Sequence, residues 1–229
     1  MSNLNEEEFE RRLYTAGQQL ANPPRSMHGM LRALGKVEAY LSMVRSPSES
    51  IFDAMGPAMD ALATPRFTKN RYPEVRLQVL HCLSKITKIT VPDHPYDNDR
   101  MKDVLDFIVK SFKDLGKMNS PSFAIRVSVL KTVAEVRLCV IMVNLGMNEL
   151  IIEMFEYLFS AVSENPYSED VHASMQTIMT TILDESDDIS QELLSVLRRN
   201  LTTEMEESSP AAHKLARNVV ASCARSLHI

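Results

Sequence analysis

The chain has 229 residues, 45% hydrophobic and 24% charged, with a net charge of −5. That is enough apolar material for a packed core of one or two domains. Six glycines and long apolar periods argue against an all-β sandwich or barrel. The acidic opening, MSNLNEEEFERR, is not a signal peptide, and no apolar run approaches the length of a bilayer span. The charge is uneven. Glu149 to Glu207 holds fourteen acids and two bases, a net −12 that leaves +7 elsewhere, which suggests a charged macromolecular partner. Cys82, Cys139 and Cys223 are odd in number, far apart and set in helical apolar patterns, so a reducing compartment is expected.

In chain order, Glu6 to Leu20 reads as a helix with Phe9, Leu13, Ala16 and Leu20 on one side, stopped by Asn22-Pro23-Pro24. Met27 to Val44 reads as a second, burying Leu31, Leu34, Val37, Leu41 and Val44. Ser46-Pro47-Ser48-Glu49 has the form of a capping box with Pro at the first helical position. It opens a helix from Ser48 to Leu62 that Pro57 is expected to kink or split. Next comes Tyr72 to Lys88, with Val75, Val79, Leu83 and Ile86 in one stripe. Pro92 and Pro95 then forbid helix, and Asp97 or Asp99 caps a helix from Asp99 to Leu115.

Ser120-Pro121 reads as an N-cap for a helix running to about Val143. Helices from Met147 to Val162 and from Ser168 to Leu183 follow. Asp188-Ile189-Ser190-Gln191 is a second capping box, for a helix to Leu201, and Ser209-Pro210 opens the last, to about Leu227. That last helix is expected to lack a full cap, leaving Val219 and Leu227 facing outward.

The pattern repeats. Offsets of 0, 4, 8 and 11 give Val75, Val79, Leu83, Ile86; Ile125, Val129, Val133, Val136; Val171, Met175, Met179, Ile182; and Ala212, Ala216, Val220, Cys223, all apolar. The alternate helices agree: Val104, Leu105, Ile108, Phe112; Ile151, Ile152, Phe155, Phe159; and Leu193, Leu194, Leu197, Leu201. Periods of 50, 46 and 41 residues in the first set, and 47 and 42 in the second, match HEAT-type two-helix units. The expected fold class is therefore all-α, an α-solenoid of antiparallel helix pairs. The chain reads as a single array over 1–229: an N-terminal helix to 23, atypical first helices over 24–70, and regular repeats over 71–229. A base or histidine follows the first apolar position of each unit, at Arg76, Arg126, His172 and His213. Surface solubility and a recurrent interhelix contact both fit that recurrence.

Candidate chemistry is sparse. The run Asp184 to Asp188 fails as a calcium loop, because Ile189 stands where glycine is needed and Ser195 where glutamate is needed. His81-Cys82 are helical neighbours about 100° apart and form no catalytic pair. No nucleotide, hydrolase or metalloprotease motif is present, so neither catalysis nor a cofactor or metal is expected. Arg66, Lys69, Arg71, Arg76, Lys85 and Lys88 form a basic segment, a candidate surface for nucleic-acid phosphates or an acidic peptide. Val91 to Tyr96 stands apart. Two prolines pre-order a loop, Asp93 becomes a fixed acceptor, and Tyr96 is an amphipathic anchor.

Val91-Pro92-Asp93-His94-Pro95-Tyr96 resembles the Ala-Pro-Asp-Ala-Pro-Tyr signature of the Precocious Dissociation of Sisters five family, HEAT-repeat regulators of cohesin. Asn22-Pro23-Pro24 and Ser46-Pro47-Ser48 resemble its opening segments. Leu150 to Phe155 and Glu185 to Leu194 resemble its next repeats, in plant-type forms, and Ala212 to Cys223 the helix after them. The resemblance implies a nuclear, non-catalytic binding protein. It implies partners in the kleisin subunit of cohesin, the release factor Wapl and cohesin acetyltransferases, and it maps partner binding to Pro92, Asp93, Pro95 and Tyr96. Val91 and His94 depart from the family's alanines and reshape that surface. The family is several times longer, so the resemblance covers its N-terminal repeats.

Overall fold

A computed structural model of the chain describes residues 6–45, 47–164 and 167–223. The chain divides into two compact units, Met1–Val104 and Leu105–Ile229. Among the described residues every regular element is helical.

The first unit holds α1 (Glu6–Ala21), α2 (Met27–Leu41), α3 (Glu49–Leu62), a single turn α4 (Pro65–Thr68), α5 (Pro73–Thr90) and the start of α6 (Asn98–Ser111). Helix α1 packs against both α2 and α3, and α2 against α5. Direction follows from paired contacts. Ser50 donates to Glu10 at 2.6 Å, and Gly17 meets the backbone of Ala58, so α1 and α3 run the same way. A methyl group on Gly17 would lie 2.7 Å from the Ala58 nitrogen; the absent side chain is what permits this approach. Cys82 donates to the Leu34 carbonyl at 3.8 Å and Lys85 pairs with Glu38 at 3.3 Å, so α2 and α5 are also parallel. Two layers alternate in this way, as they do in HEAT-type pairs.

The second unit contains the end of α6 and a 3₁₀ turn, Phe112–Asp114. It continues with α7 (Phe123–Glu135), α8 (Leu138–Asn144), α9 (Asn148–Glu164), α10 (Glu169–Glu185), α11 (Gln191–Arg199), α12 (Thr203–Ser208) and α13 (Pro210–Ser222). Helix α10 packs on α7 and α13, while α9 packs on α11.

The apolar stripes are the core. Val75, Val79, Leu83 and Ile86 are fully buried, as are Met175, Met179 and Ile182. Of the sixteen first-layer positions, only Ile125, Val136 and Val220 are half-buried rather than buried. The repeat period is also written in the polar contacts. Arg100–Asp60 spans 40 residues, Arg199–Glu156 spans 43, Arg137–Glu185 spans 48 and Tyr167–Leu115 spans 52. Each joins two segments about one repeat length apart in the chain.

The recurrent Arg/His position has a structural job at three of its four occurrences, and at Arg126 that job includes a contact between helices, because Asp114 belongs to the 3₁₀ turn Phe112–Asp114. Each of these three side chains reaches back to the corner before its own helix. Arg76 donates to the Asn70 carbonyl at 2.5 Å. Arg126 donates to Ser122 and to Asp114, the latter at 3.3 Å. His172 meets the Tyr167 ring edge-on, with centroids 6.2 Å apart. His213 is buried.

Several boundaries differ from expectation. The predicted helix through Val143 breaks at Val136, because Arg137 adopts a left-handed backbone with φ 53°. Helix α3 passes unbroken through Pro57. Both proposed capping boxes are shifted by two residues. Ser48 accepts from the Ile51 amide and Ser190 from the Leu193 amide, so each helix starts later than its box. Ser46 lies outside the described residues. Ser120 accepts from the Ser122 amide in a turn and α7 begins only at Phe123. Val219, expected to face outward, is fully buried; Leu227 lies outside the described residues.

Candidate functional site

The Val91–Tyr96 corner follows α5 because Pro92 and Pro95 cannot continue the helix. The Val91–Pro92 bond is cis. Val91 is 47% exposed, Pro92, Asp93 and His94 are exposed, and Pro95 is half-buried. Tyr96 departs from its expected role as an exposed anchor. It is 6% exposed, and its hydroxyl donates to the Met59 carbonyl of α3 at 3.3 Å. Burial, reinforced by the nearby Asp60 carboxylate, pushes the phenol well above its ordinary pKa. Tyr96 is thus a fastener for the corner, since a buried phenol needs a hydrogen-bond partner and finds one here.

The remaining contacts stiffen the loop from below. His94 Nδ1–H donates to the Tyr96 carbonyl at 2.9 Å. Asp97, the nearer of the two candidate caps, accepts from the Arg100 amide at 2.9 Å. Arg100 also reaches Asp60 at 2.7 Å. The Asp60–Arg100 pair was not singled out in the sequence, although its separation of 40 residues falls just under the repeat period. Asp93 makes no hydrogen bond or ion pair to any described residue. The loop therefore presents Val91, Pro92, Asp93 and His94 outward on a backbone held by Tyr96 and Asp97.

The basic segment is dispersed. Arg66, Lys69 and Arg71 are exposed around α4, where Arg71 lies over the Tyr72 ring at 4.6 Å. Arg76 is half-buried and engaged by Asn70. Lys85 and Lys88 lie near the far end of α5, and Lys85 is paired with Glu38. A rise of 1.5 Å per residue puts Lys88 roughly 18 Å along the helix from Arg76. The six cations are therefore spread along α4 and α5.

Thiol chemistry has no support. All three cysteines are buried. Desolvation pushes Cys82 and Cys223 up to about 12 and Cys139 up to about 11, far from the thiolate form that reacts. His81 is half-buried and its pKa is lowered, by burial first and by Lys85 second. Cys82 gives its hydrogen bond to Leu34. The described residues contain no cluster of metal-ligating side chains, and no helix among them is long and apolar enough to cross a membrane. In the acidic corner after α10, Glu185 pairs with Arg137 at 2.5 Å and Ser190 caps α11.

Residues 28–228 match the family model of the sister chromatid cohesion protein PDS5. PDS5 homolog C of Arabidopsis thaliana is 39% identical over 224 residues, covering 97% of this chain and 25% of that protein. PDS5 homolog A of the same plant is 35% identical over 216 residues, covering 94% of this chain and 13% of that protein. The chain thus spans a quarter or less of the length of these relatives. A chain in the solved structure of the Pds5–Scc1 complex superposes with a TM-score of 0.75 at 18% identity, over 88% of this chain and 32% of that one. This likeness fixes the fold class as the all-α, HEAT-type helical repeat expected from the apolar periods. By the family model and by identity over nearly its whole length, the chain belongs to the sister chromatid cohesion protein PDS5 family.

Proposed function

We propose that this chain is a non-catalytic docking module that acts in the nucleus on the cohesin complex. It takes hold of segments of the kleisin subunit, of a Wapl-type release factor and of a cohesin acetyltransferase. Family membership supplies the cohesin context, and the named relative of known structure is a complex with Scc1. The observation that carries the docking role is the Pro92–Pro95 loop, held by Tyr96 and Asp97, with Asp93 exposed on it and unpaired among the described residues. A carboxylate on a stiff loop loses little entropy when a partner's donor arrives. Tyr96 contributes indirectly, by holding that loop in place.

Asp93→Lys is the direct test. The side chain is exposed, so stability should stay within about 0.5 kcal/mol of wild type. Affinity for a Wapl-type or acetyltransferase peptide should fall at least about tenfold, the loss of one charge-assisted hydrogen bond. Unchanged affinity in a well-folded Asp93→Lys protein removes the loop from the docking surface. Capture of cohesin subunits from nuclear extract tests the wider reading. Binding to DNA that weakens steeply with salt would instead favour a nucleic-acid role for the basic side chains.

A further inference from the structure

The corner before α7 holds more positive charge than its own acid can balance. Lys113, Lys117 and Arg126 all act on the Asp114 carboxyl. Asp114 pairs with Lys117 at 2.7 Å and with Arg126 at 3.3 Å. Among the described residues no ion pair joins any of the three cations to a second acid. One carboxylate against three cations leaves a net +2, whichever of them holds it. Arg126 also has a donor to spare. Its terminal nitrogens reach Ser122 and Asp114, while Nε is buried without a hydrogen-bond partner. Buried donors are nearly always satisfied, so a further acceptor is missing at this place.

A serine lies where that acceptor could be attached. Ser120 Oγ is 2.6 Å from Ser122 Oγ, which in turn takes the Arg126 donor. Ser120 precedes Pro121, the dipeptide that proline-directed protein kinases accept, in the irregular segment between the 3₁₀ turn and α7. Ser120 is half-buried and Pro121 exposed. The chain's other Ser/Thr-Pro steps are less well placed. Ser209 is buried, and Ser46 lies outside the described residues. Thr64 is exposed, but Arg100, in the same concavity, is already held by Asp60 and Asp97.

We propose that Ser120 is a phosphorylation site for a proline-directed kinase, and that Arg126 and Lys117 hold the phosphoryl group. The kinase transfers the γ-phosphoryl group of ATP. The bond to the ADP oxygen breaks, a P–Oγ bond forms, and the hydroxyl proton passes to the kinase's base. Phosphoserine carries a charge of about −1.5 to −2 at neutral pH, which matches the positive charge left over at this corner. Its oxygens supply the acceptor that Arg126 Nε lacks, in charge-assisted hydrogen bonds. Arg126 belongs to α7 and Asp114 to the 3₁₀ turn, so the modification ties the two across the corner. The proposal stands whether or not the Pro92–Pro95 loop docks a partner.

Two measurements test this. In the first, the folded chain is incubated with ATP and a recombinant mitogen-activated or cyclin-dependent protein kinase, and the product is mapped by tandem mass spectrometry. Phosphate should appear on Ser120 and not on the buried Ser209. Pro121→Ala should remove it. A folded chain left unmodified at Ser120 overturns the acceptor role. In the second, phosphoserine is placed at position 120 by genetic-code expansion, independently of any kinase, and titrated by phosphorus NMR. Its second ionisation should fall from about 6 to about 5, the effect of a neighbouring cation. In Arg126→Gln/Lys117→Gln it should return to about 6. Lys117 is exposed, so Lys117→Gln alone should recover part of that change if the double variant does not fold. A phosphoserine that titrates near 6 in the otherwise wild-type chain stands free in water, and overturns the holding role of Arg126 and Lys117.

Discussion

Two corners do the same job by different means. After α5 the chain turns at Val91–Asp97, and after α7 it turns at Val136–Arg137. The first combines local chemistry, two prolines and the Asp97 cap, with one tertiary fastener, the Tyr96 hydroxyl on Met59. The second contains neither proline nor glycine and interrupts a largely apolar stretch, Val133 to Val143, whose charged residues are Glu135 and Arg137. It exists because Leu138, Cys139 and Met142 are buried in the second unit and Glu185 holds the Arg137 guanidinium. The proline corner takes its bend from its own prolines and cap, is tied to α3 by Tyr96, and can present a face to a partner. The arginine corner keeps its shape only while the surrounding helices hold it, so its residues are committed to packing.

The largest test of that contrast is the fastener. Tyr96→Ala removes a buried ring and its hydrogen bond, and should cost about 3–5 kcal/mol in urea unfolding. Tyr96→Phe keeps the ring and should cost only about 1 kcal/mol. Equal losses from the two variants would mean that the Met59 contact, not the buried ring, holds the corner. Leu83→Ala, in the fully buried α5 stripe beneath this corner, should cost about 2–5 kcal/mol. A loss below about 0.5 kcal/mol would show that stripe not to be core.

The arginine corner should answer to backbone rather than to side chain. Left-handed geometry costs a non-glycine residue roughly 1–2 kcal/mol. Arg137→Gly relieves that cost but loses an exposed ion pair and makes the unfolded chain more flexible, so it should be close to neutral. Arg137→Val, β-branched at φ 53°, should be at least about 1 kcal/mol less stable than Arg137→Gly. Matching stabilities would place the break elsewhere.

A third corner, before α7, predicts the smallest effect. Asp114 pairs with Lys117 at 2.7 Å and with Arg126 at 3.3 Å. The hydrogen bond from Lys117, then the charge of Arg126, holds its carboxyl below the ordinary carboxylate value, against a smaller opposing effect of burial. A carboxyl depressed in the folded state stabilises above its unfolded pKa of about 4, and that contribution is lost as pH falls through the folded value. Asp114→Asn should therefore be less stable than wild type at neutral pH, and the gap should close below about pH 4. The site is part-exposed, so the gap should be under about 1 kcal/mol. A gap that persists in acid would mean that the asparagine itself is at fault.

Much of the fold was legible because apolar spacing survives any tertiary arrangement. Val75, Val79, Leu83 and Ile86 had to share a face once that segment was helical, and a face so apolar had to be covered. The period near 45 residues then required one helix pair to cover the next, and the polar contacts spaced 40 to 52 residues apart follow from it. Prolines made the Val91–Tyr96 corner readable, since a missing amide and a fixed φ act without help from neighbours. What could not be read was which way a side chain faces when both directions suit it. Tyr96 is amphipathic, and only the position of the Met59 carbonyl turns it inward. Val219 and Val220 are adjacent and chemically alike, so only the packing of α13 on α9 and α10 chose Val219 for the core. The Arg137 break carries no local signal, because its backbone cost is repaid by burial of residues on both sides. The contact of α2 with α5 joins residues more than forty positions apart, Glu38 with Lys85 and Leu34 with Cys82, and it exists only once those two helices lie side by side.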